Sequence, residues 1–337
     1  MLSERRQRVL AALIEEYVAR AMPVGSRTLT ERYQLGVSPA TVRNELSVLE
    51  EEGYLTQPHT SAGRIPTDFG YRAFVDDLLE SEELAQLDER HAAVAEELRA
   101  CASELDVLLE RTSVALARLT DCLSIVLAPS VLNLHIKQLS LISLSPHRAL
   151  IVVVTEDGQV LNRQLDFADA VSPDALARVQ LLLSDSFVGR SLSEVEQGLG
   201  QGMAEAFSSP LVRYVLSEVL LCLQAGDVVR SRRLGMSSLL TQPEFSSSRS
   251  LVPLMRVLED DTVLLQLLDE TAGSDDELTV NIGHENPSEA LSGVSVVASR
   301  YGRGESAGVV AVIGPTRMDY SRVIKAVRMA SGALEDV

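Results

Sequence analysis

The stretch Gly36–Pro66, GVSPATVRNELSVLEEEGYLTQPHTSAGRIP, leaves the backbone little freedom. Ser38 stands where a side-chain oxygen can cap a helix, and Pro39 follows at the first helical position, where a missing N–H costs nothing. Val42, Leu46 and Leu49 then recur at spacings of four and three, which sets one apolar stripe inward. Gly53 ends that helix, and YLTQP and GRIP read as two β segments around the loop HTSA. Upstream, Ser3 can cap a helix whose inward positions include Val9, Leu13 and Tyr17. MPVG stops it, and Ser26 opens a short helix through Tyr33. Helix, helix, turn, helix and hairpin predict a winged helix-turn-helix over residues 1–80.

In that arrangement the second helix of the pair meets base edges in the major groove. Its outward residues here are Ser38, Ala40, Thr41, Arg43, Asn44 and Ser47. Arg forks onto guanine O6 and N7, Asn onto adenine N6 and N7, and the methyls of Ala40 and Thr41 suit thymine. The loop supplies His59, Thr60, Ser61, Gly63 and Arg64, types that suit a wing lying along the phosphate backbone, with Arg27 and Thr28 flanking. Bulk charge does not nominate nucleic acid. Residues 1–75 hold nine Arg against nine Asp or Glu, and the excess behind the net charge of -18 lies entirely downstream. The reading therefore rests on where the arginines sit. A winged helix that only contacts protein, with Arg43 a solvated residue, remains open.

At 337 residues the chain exceeds what one core usually serves, and the pattern past residue 80 predicts a multidomain α+β protein. Leu84, Leu87, His91, Val94, Leu98, Cys101, Leu105, Leu108, Thr112, Ala115 and Leu119 alternate spacings of three and four. They predict one long connector helix over 81–120, either lying on a neighbouring domain or paired with a second chain. KQLSLISLS, RALIVVVT and GQVLNRQLDF then read as an antiparallel meander, and helical sequence runs from about Pro173 to Asp227. LTVNIG, GVSVVASRY and GVVAVIG return to strand, followed by a helix from Tyr320 to Leu334. One α+β domain with a helical insertion is the expected result.

Other chemistries find little support. GHEN at Gly283–Asn286 gathers His, Glu and Asn, but with no second His at helical spacing it reads as a loop or cap, not a zinc site. YGRGESAG spaces its glycines as GxGxxxG, which suits a turn better than a dinucleotide fingerprint. Cys101, Cys122 and Cys222 show neither CxxC nor ligand spacing and read as reduced thiols. No cofactor, metal or catalytic residue is expected, and the chain reads as a non-enzyme. With no long apolar run and no secretory signal in MLSERRQRV, it is expected in the cytoplasm, away from membranes.

The run Ser38–Asp76 resembles the heat-inducible transcription repressor family, HrcA. So do PVGSRTL before it, NIGHEN at Asn281–Asn286 and GVVAVIGPTRMDYSRVI at Gly308–Ile324. The resemblance implies a winged helix, a GAF-like domain over 121–175 and 246–337, and a dimerising domain inserted at 176–245. It also implies a homodimer that represses chaperone operons from an inverted-repeat operator, fails on heating and is assisted by a GroEL-type chaperonin. By similarity, Ser38–Ser47 would be the reading helix and His59–Arg64 the wing. Two other readings stay open: a regulator whose GAF-like domain senses a small molecule, and a chaperonin-binding client or adaptor.

Overall fold

The computed structural model describes residues 2–59, 62–81, 89–99, 105–128, 135–156, 158–191, 194, 209–229, 231–246, 248–259, 264, 268, 278–302 and 307–335. The chain forms two compact units, one of residues 1–126, 232–301 and 309–337, the other of residues 127–231 and 302–308.

The first unit begins with a head: α1 (Glu4–Arg20), α2 (Ser26–Arg32), α3 (Pro39–Glu51), β1 (Leu55–Thr56), β2 (Ile65–Pro66) and α4 (Asp68–Glu80). Ser38 caps α3, its Oγ accepting the Thr41 N–H at 3.2 Å, and Pro39 opens the helix. Ser3 makes no such bond, and Ser26 lies inside α2 behind Gly25. Gly53 takes φ +85°, the left-handed stop expected after α3. Thr67 caps α4 through the Gly70 N–H and donates to the Gly53 carbonyl at 2.7 Å, so the end of α3 and the start of α4 are tied. Leu13, Leu29, Val42, Leu46 and Leu49 are fully buried, giving the head a core of its own. The hairpin is pinned to the segment before α2: Val24 and Arg64 exchange backbone hydrogen bonds of 2.9 Å in both directions. A Cβ at Gly63 would lie 2.5 Å from the Val24 carbonyl, so only glycine allows that approach.

Downstream come α5 (Glu89–Arg99), α6 (Leu105–Thr120), β3 (Leu123–Leu127), β4 (Ile136–Ser145), β5 (Arg148–Thr155), β6 (Val160–Asp166) and α7 (Pro173–Phe187). They are followed by α8 (Pro210–Val229), β7 (Ser231–Leu234), α9 (Met236–Leu240), α10 (Ser248–Glu259), β8 (Thr279–Ile282), β9 (Val294–Tyr301), β10 (Gly308–Pro315) and α11 (Tyr320–Leu334). A five-stranded sheet runs in the order β7-β3-β10-β9-β8. β10 is buried at every position and β9 at all but Arg300, which is why both read as near-continuous apolar runs. α11 packs on β9, and α5 and α6 pack on α11. Cys122 is buried beside Asp121, and burial pushes its thiol up to about 11, as expected of an inert cysteine.

The single connector helix expected over 81–120 is not what forms. α5 and α6 pack against each other, and Arg90 and Arg118 line one groove, whereas 28 residues of continuous helix would part them by about 42 Å. His91, Leu98, Leu108, Thr112 and Leu119 are buried within the single chain. A 3.5-residue period reports that one apolar face exists and not what covers it; here the cover is intramolecular. Leu84, Leu87 and Cys101 lie outside the described residues.

The second unit also departs from expectation. β4, β5 and β6 do form an antiparallel meander, but in a sheet of their own, with Leu139, Ile151 and Leu165 buried in one core with Leu183 of α7 and Val219 of α8. The expected boundaries at 176 and 245 thus fall instead near 127 and 231. A three-strand meander needs a second layer to bury its apolar face, and α7 and α8 provide it. The opposite face carries Ile142 paired with Leu150 and Val154 paired with Val160, and Ile142 and Val160 are exposed.

Spin labels at Val94 and Ala115, in a chain whose three native cysteines are changed to serine, should lie well under the about 32 Å that 21 residues of continuous helix would give. Double electron–electron resonance on labelled chains diluted in unlabelled protein measures this. Gly63→Ala should cost about 1–3 kcal/mol, as overpacking against fixed backbone does. It should therefore lower the melting temperature read by circular dichroism; an unchanged value would show that the Val24 segment yields freely.

Candidate nucleic-acid interface

α3 turns Val42, Leu46 and Leu49 into the head and leaves Ser38, Ala40, Arg43 and Asn44 exposed, with Thr41 and Ser47 half-buried. The Ser38 hydroxyl lies 3.0 Å from that of Thr41, so the cap also orients a residue of the exposed face. Arg43 has no ion-pair partner among the described residues. All but Glu51 of the acids on this helix and at its C-cap are matched from other elements. Glu45 meets Arg5 at 3.6 Å and Arg6 at 3.1 Å, Glu52 meets Arg6 at 3.3 Å, and Glu50 meets Arg64 at 2.9 Å. Three Glu against one Arg would otherwise give this helix a negative field; with Glu45 and Glu50 paired, its exposed start keeps a guanidinium and an amide that have no side-chain partner among the described residues.

The loop residues divide by role. His59 is exposed, and its carbonyl accepts the Ala62 N–H at 2.8 Å, while Gln57 Nε2 donates to the Ala62 carbonyl at 2.7 Å. Thr60 and Ser61 lie outside the described residues. Gly63 serves the close approach to Val24. Arg64, expected on the wing's outer surface, is instead mostly buried at 17% side-chain exposure, with Nε on Glu50 and Nη2 on Ser47 Oγ at 3.1 Å. Ser47 in turn donates to the Arg43 carbonyl at 3.1 Å. Arg64 and Ser47 therefore brace the hairpin against α3, one element removed from the exposed face. Arg27 is exposed but shares its charge with Glu31 at 3.1 Å, one helical turn on, and Thr28 is half-buried. The structure thus gathers Ser38, Ala40, Thr41, Arg43 and Asn44 on one surface and withdraws Ser47, Gly63 and Arg64 from it. The bracing of Glu45 by Arg5 and Arg6 carried no sequence signal, since those residues lie about forty apart along the chain.

No group of three His, Cys, Asp or Glu among the described residues is placed to hold a metal ion, and none of their helices is long and apolar enough to cross a membrane. GHEN forms a 3-10 turn, Gly283–Glu285, and Glu285 accepts the Ile282 N–H at 2.8 Å, so the motif is a capped loop.

Residues 106–324 match the family described as HrcA protein C terminal domain. The heat-inducible transcription repressor HrcA of Streptomyces albus G is 41% identical over 97% of this chain and 96% of its own length. The repressor of the same name from Desulforudis audaxviator (strain MP104C) is 36% identical over 96% of this chain and 94% of its own. A crystal structure described as that of a hypothetical protein is 25% identical, with a TM-score of 0.63 over 100% of this chain and 98% of that one. With the family match spanning most of the chain and relatives aligning along nearly all of it, this chain belongs to the heat-inducible transcription repressors, HrcA, a family of regulators and not of enzymes.

Proposed function

We propose that this chain binds DNA through its head as a winged helix-turn-helix, and represses chaperone operons from an inverted-repeat operator. The single observation that carries the reading is α3: capped, braced on two sides, with Glu45 and Glu50 paired to arginines of other elements and with Ala40, Thr41, Arg43 and Asn44 on one surface at its start. Arg43 would fork onto guanine, Asn44 onto adenine, and Ala40 and Thr41 would meet thymine methyls. Ser38, Arg27, Thr28 and His59, with Thr60 and Ser61, would contact phosphates and fix register. Ser47, Gly63 and Arg64 contribute by holding hairpin and helix in place.

Two heads are needed for an inverted repeat. The uncovered face of β4-β5-β6, with exposed Ile142 and Val160, supports the unit of residues 127–231 as the dimerising part. The five-stranded sheet and its helices then constitute the GAF-like body, and the acid excess downstream keeps that body off DNA. Folded domains are stable by only about 5–15 kcal/mol, so modest heating drains the competent dimer and a GroEL-type chaperonin restores it in the cytoplasm.

The test is a gel-shift titration against the protein's own chaperonin-operon promoter, with a scrambled duplex as competitor at fixed salt, before and after a brief heat step. A specific complex should form, vanish on heating and return with chaperonin and ATP. Absence of specific binding at every temperature would remove the reading. In the same assay Arg43→Ala should cost about 1–3 kcal/mol per half-site and relax base preference at one position. Arg64→Ala should lower the melting temperature together with affinity.

A further inference from the structure

NIGHEN takes no part in the proposed reading surface, yet its turn is seated against the first turns of α4. Asp68 Oδ2 accepts the His284 backbone N–H at 3.1 Å and lies 2.7 Å from His284 Nδ1. One turn along α4, Arg72 Nε donates to Glu285 Oε1 at 2.8 Å, and Nη2 donates to Glu285 Oε2 and to the Val280 carbonyl. The approach is close enough that a Cβ at Gly283, where φ is +54°, would lie 2.2 Å from the Asp68 carboxylate. The turn is fixed just as firmly on its other side. Asn286 is buried, and its Nδ2 lies 2.9 Å from the carbonyls of Gly283 and Val294 and 3.1 Å from that of Leu291.

A second clamp holds α1. Arg317, on the segment leading to α11, donates to the Val18 carbonyl at 2.6 Å and pairs with Glu244 at 2.7 Å. Val18 is in the last turn of α1, whose carbonyls have no partner within the helix, so a guanidinium there both caps and complements the dipole. Apolar packing fills the joint only in part. A cleft of about 730 Å³ opens between α1, α4 and α11, bordered by Ile14, Val18, Leu78 and Lys325. The hydroxyl of Tyr71, a residue only 2% exposed, is buried at the joint with no hydrogen-bond partner among the described residues, its ring 5.7 Å from that of Tyr320.

Directional polar clamps with empty space beside them fix an angle in a way that adaptable apolar packing does not. A head of about 80 residues is on the order of 25 Å across. A 10° turn at its base would then move its far side by about 4 Å, more than one base-pair step of about 3.4 Å. We infer that the docking of α4 on the NIGHEN turn sets the angle of the head on the body, so that Asp68, Arg72, His284 and Glu285 are positioning residues for half-site spacing. This rests on the reading of α3 as the DNA-reading helix. It assigns the motif a role in selecting which inverted repeats the dimer accepts.

The experiment compares full-length wild type with Arg72→Gln and with His284→Ala, whose side chain is 84% exposed and so carries little risk to folding. Fluorescence anisotropy is read on a single half-site duplex and on inverted repeats whose spacer runs through several lengths. Both variants should bind the single half-site within about twofold of wild type, yet lose roughly tenfold or more at the best spacing and discriminate less among spacers. Amide exchange should rise in the peptides covering 68–76 and 281–286 and stay unchanged in 39–51. An unaltered spacing preference, or equal losses on half-site and full site, overturns the positioning role. Unchanged exchange in both peptides overturns the clamp itself, whatever the DNA result. Wild type that binds no half-site at all overturns the reading of α3, a failure that the exchange data distinguish from failure of the clamp.

Discussion

Everything outside the head depends on one closure: β3, formed before the insertion, lies beside β10, formed after it, and β7 returns on the other side of β3. The chain leaves the sheet at Leu127 and comes back at Ser231, so the two ends of the insertion depart from neighbouring strands. An insertion whose ends are adjacent costs its host little, which is how a unit with its own core can sit inside another fold. The return is sterically tight. Gly235 takes φ +95°, and a Cβ there would lie 2.2 Å from the Cys122 carbonyl oxygen, so the residue that lets β7 lead into α9 has to be glycine. Ser124 seals the junction, its hydroxyl donating to the Ser113 carbonyl of α6 at 2.8 Å and lying 3.2 Å from the Leu234 carbonyl of β7.

Under the proposed function the head solves a different problem, that of approaching a polyanion with no net positive charge. Nine Arg and nine acids in residues 1–75 cancel in bulk, and the solution is directional. Glu45, Glu50 and Glu52 are each matched by an Arg on another element, while Arg43 has no ion-pair partner among the described residues. Partly exposed ion pairs of this kind add little to stability, roughly 0–1 kcal/mol each. Their larger effect is on the field, since a matched carboxylate repels phosphate less than a free one. The same pairing supplies stiffness, because the Arg64 bridge to Glu50 and Ser47 ties the hairpin to the helix it accompanies.

What the sequence made legible was local chemistry. The Ser38 cap, Pro39 at the helix start, the stop at Gly53, the strand runs and the helix from Tyr320 to Leu334 all follow from capping, backbone freedom and period, and all are present. What it hid was the identity of partners. The heptad pattern through residues 84–119 is satisfied equally by a long helix on a second chain or by α5 and α6 folded back on α11. The alternation in β4, β5 and β6 specifies a buried face and not which layer buries it. Arg64 is the instructive case at the site. An Arg in a polar loop reads as a phosphate ligand by type, and only the position of Glu50, fourteen residues earlier, turns it inward.

Under the proposed function, heat has to act somewhere specific. The head keeps Leu13, Leu29, Val42, Leu46 and Leu49 fully buried in a core of its own, and the five-stranded sheet buries β10 throughout. The unit of residues 127–231 is the smaller of the two compact units, three strands with helices in the core of one face and exposed apolar residues on the other. Smaller units are the more marginal. Failure there would separate two heads without unfolding either one. Joining two binding modules raises overall affinity by about 10²–10⁴ over one alone, so losing the connection costs that factor at a stroke. A steep thermal switch therefore needs no special instability in the reading helix: the avidity of the dimer supplies the steepness, and the weakest unit sets the temperature.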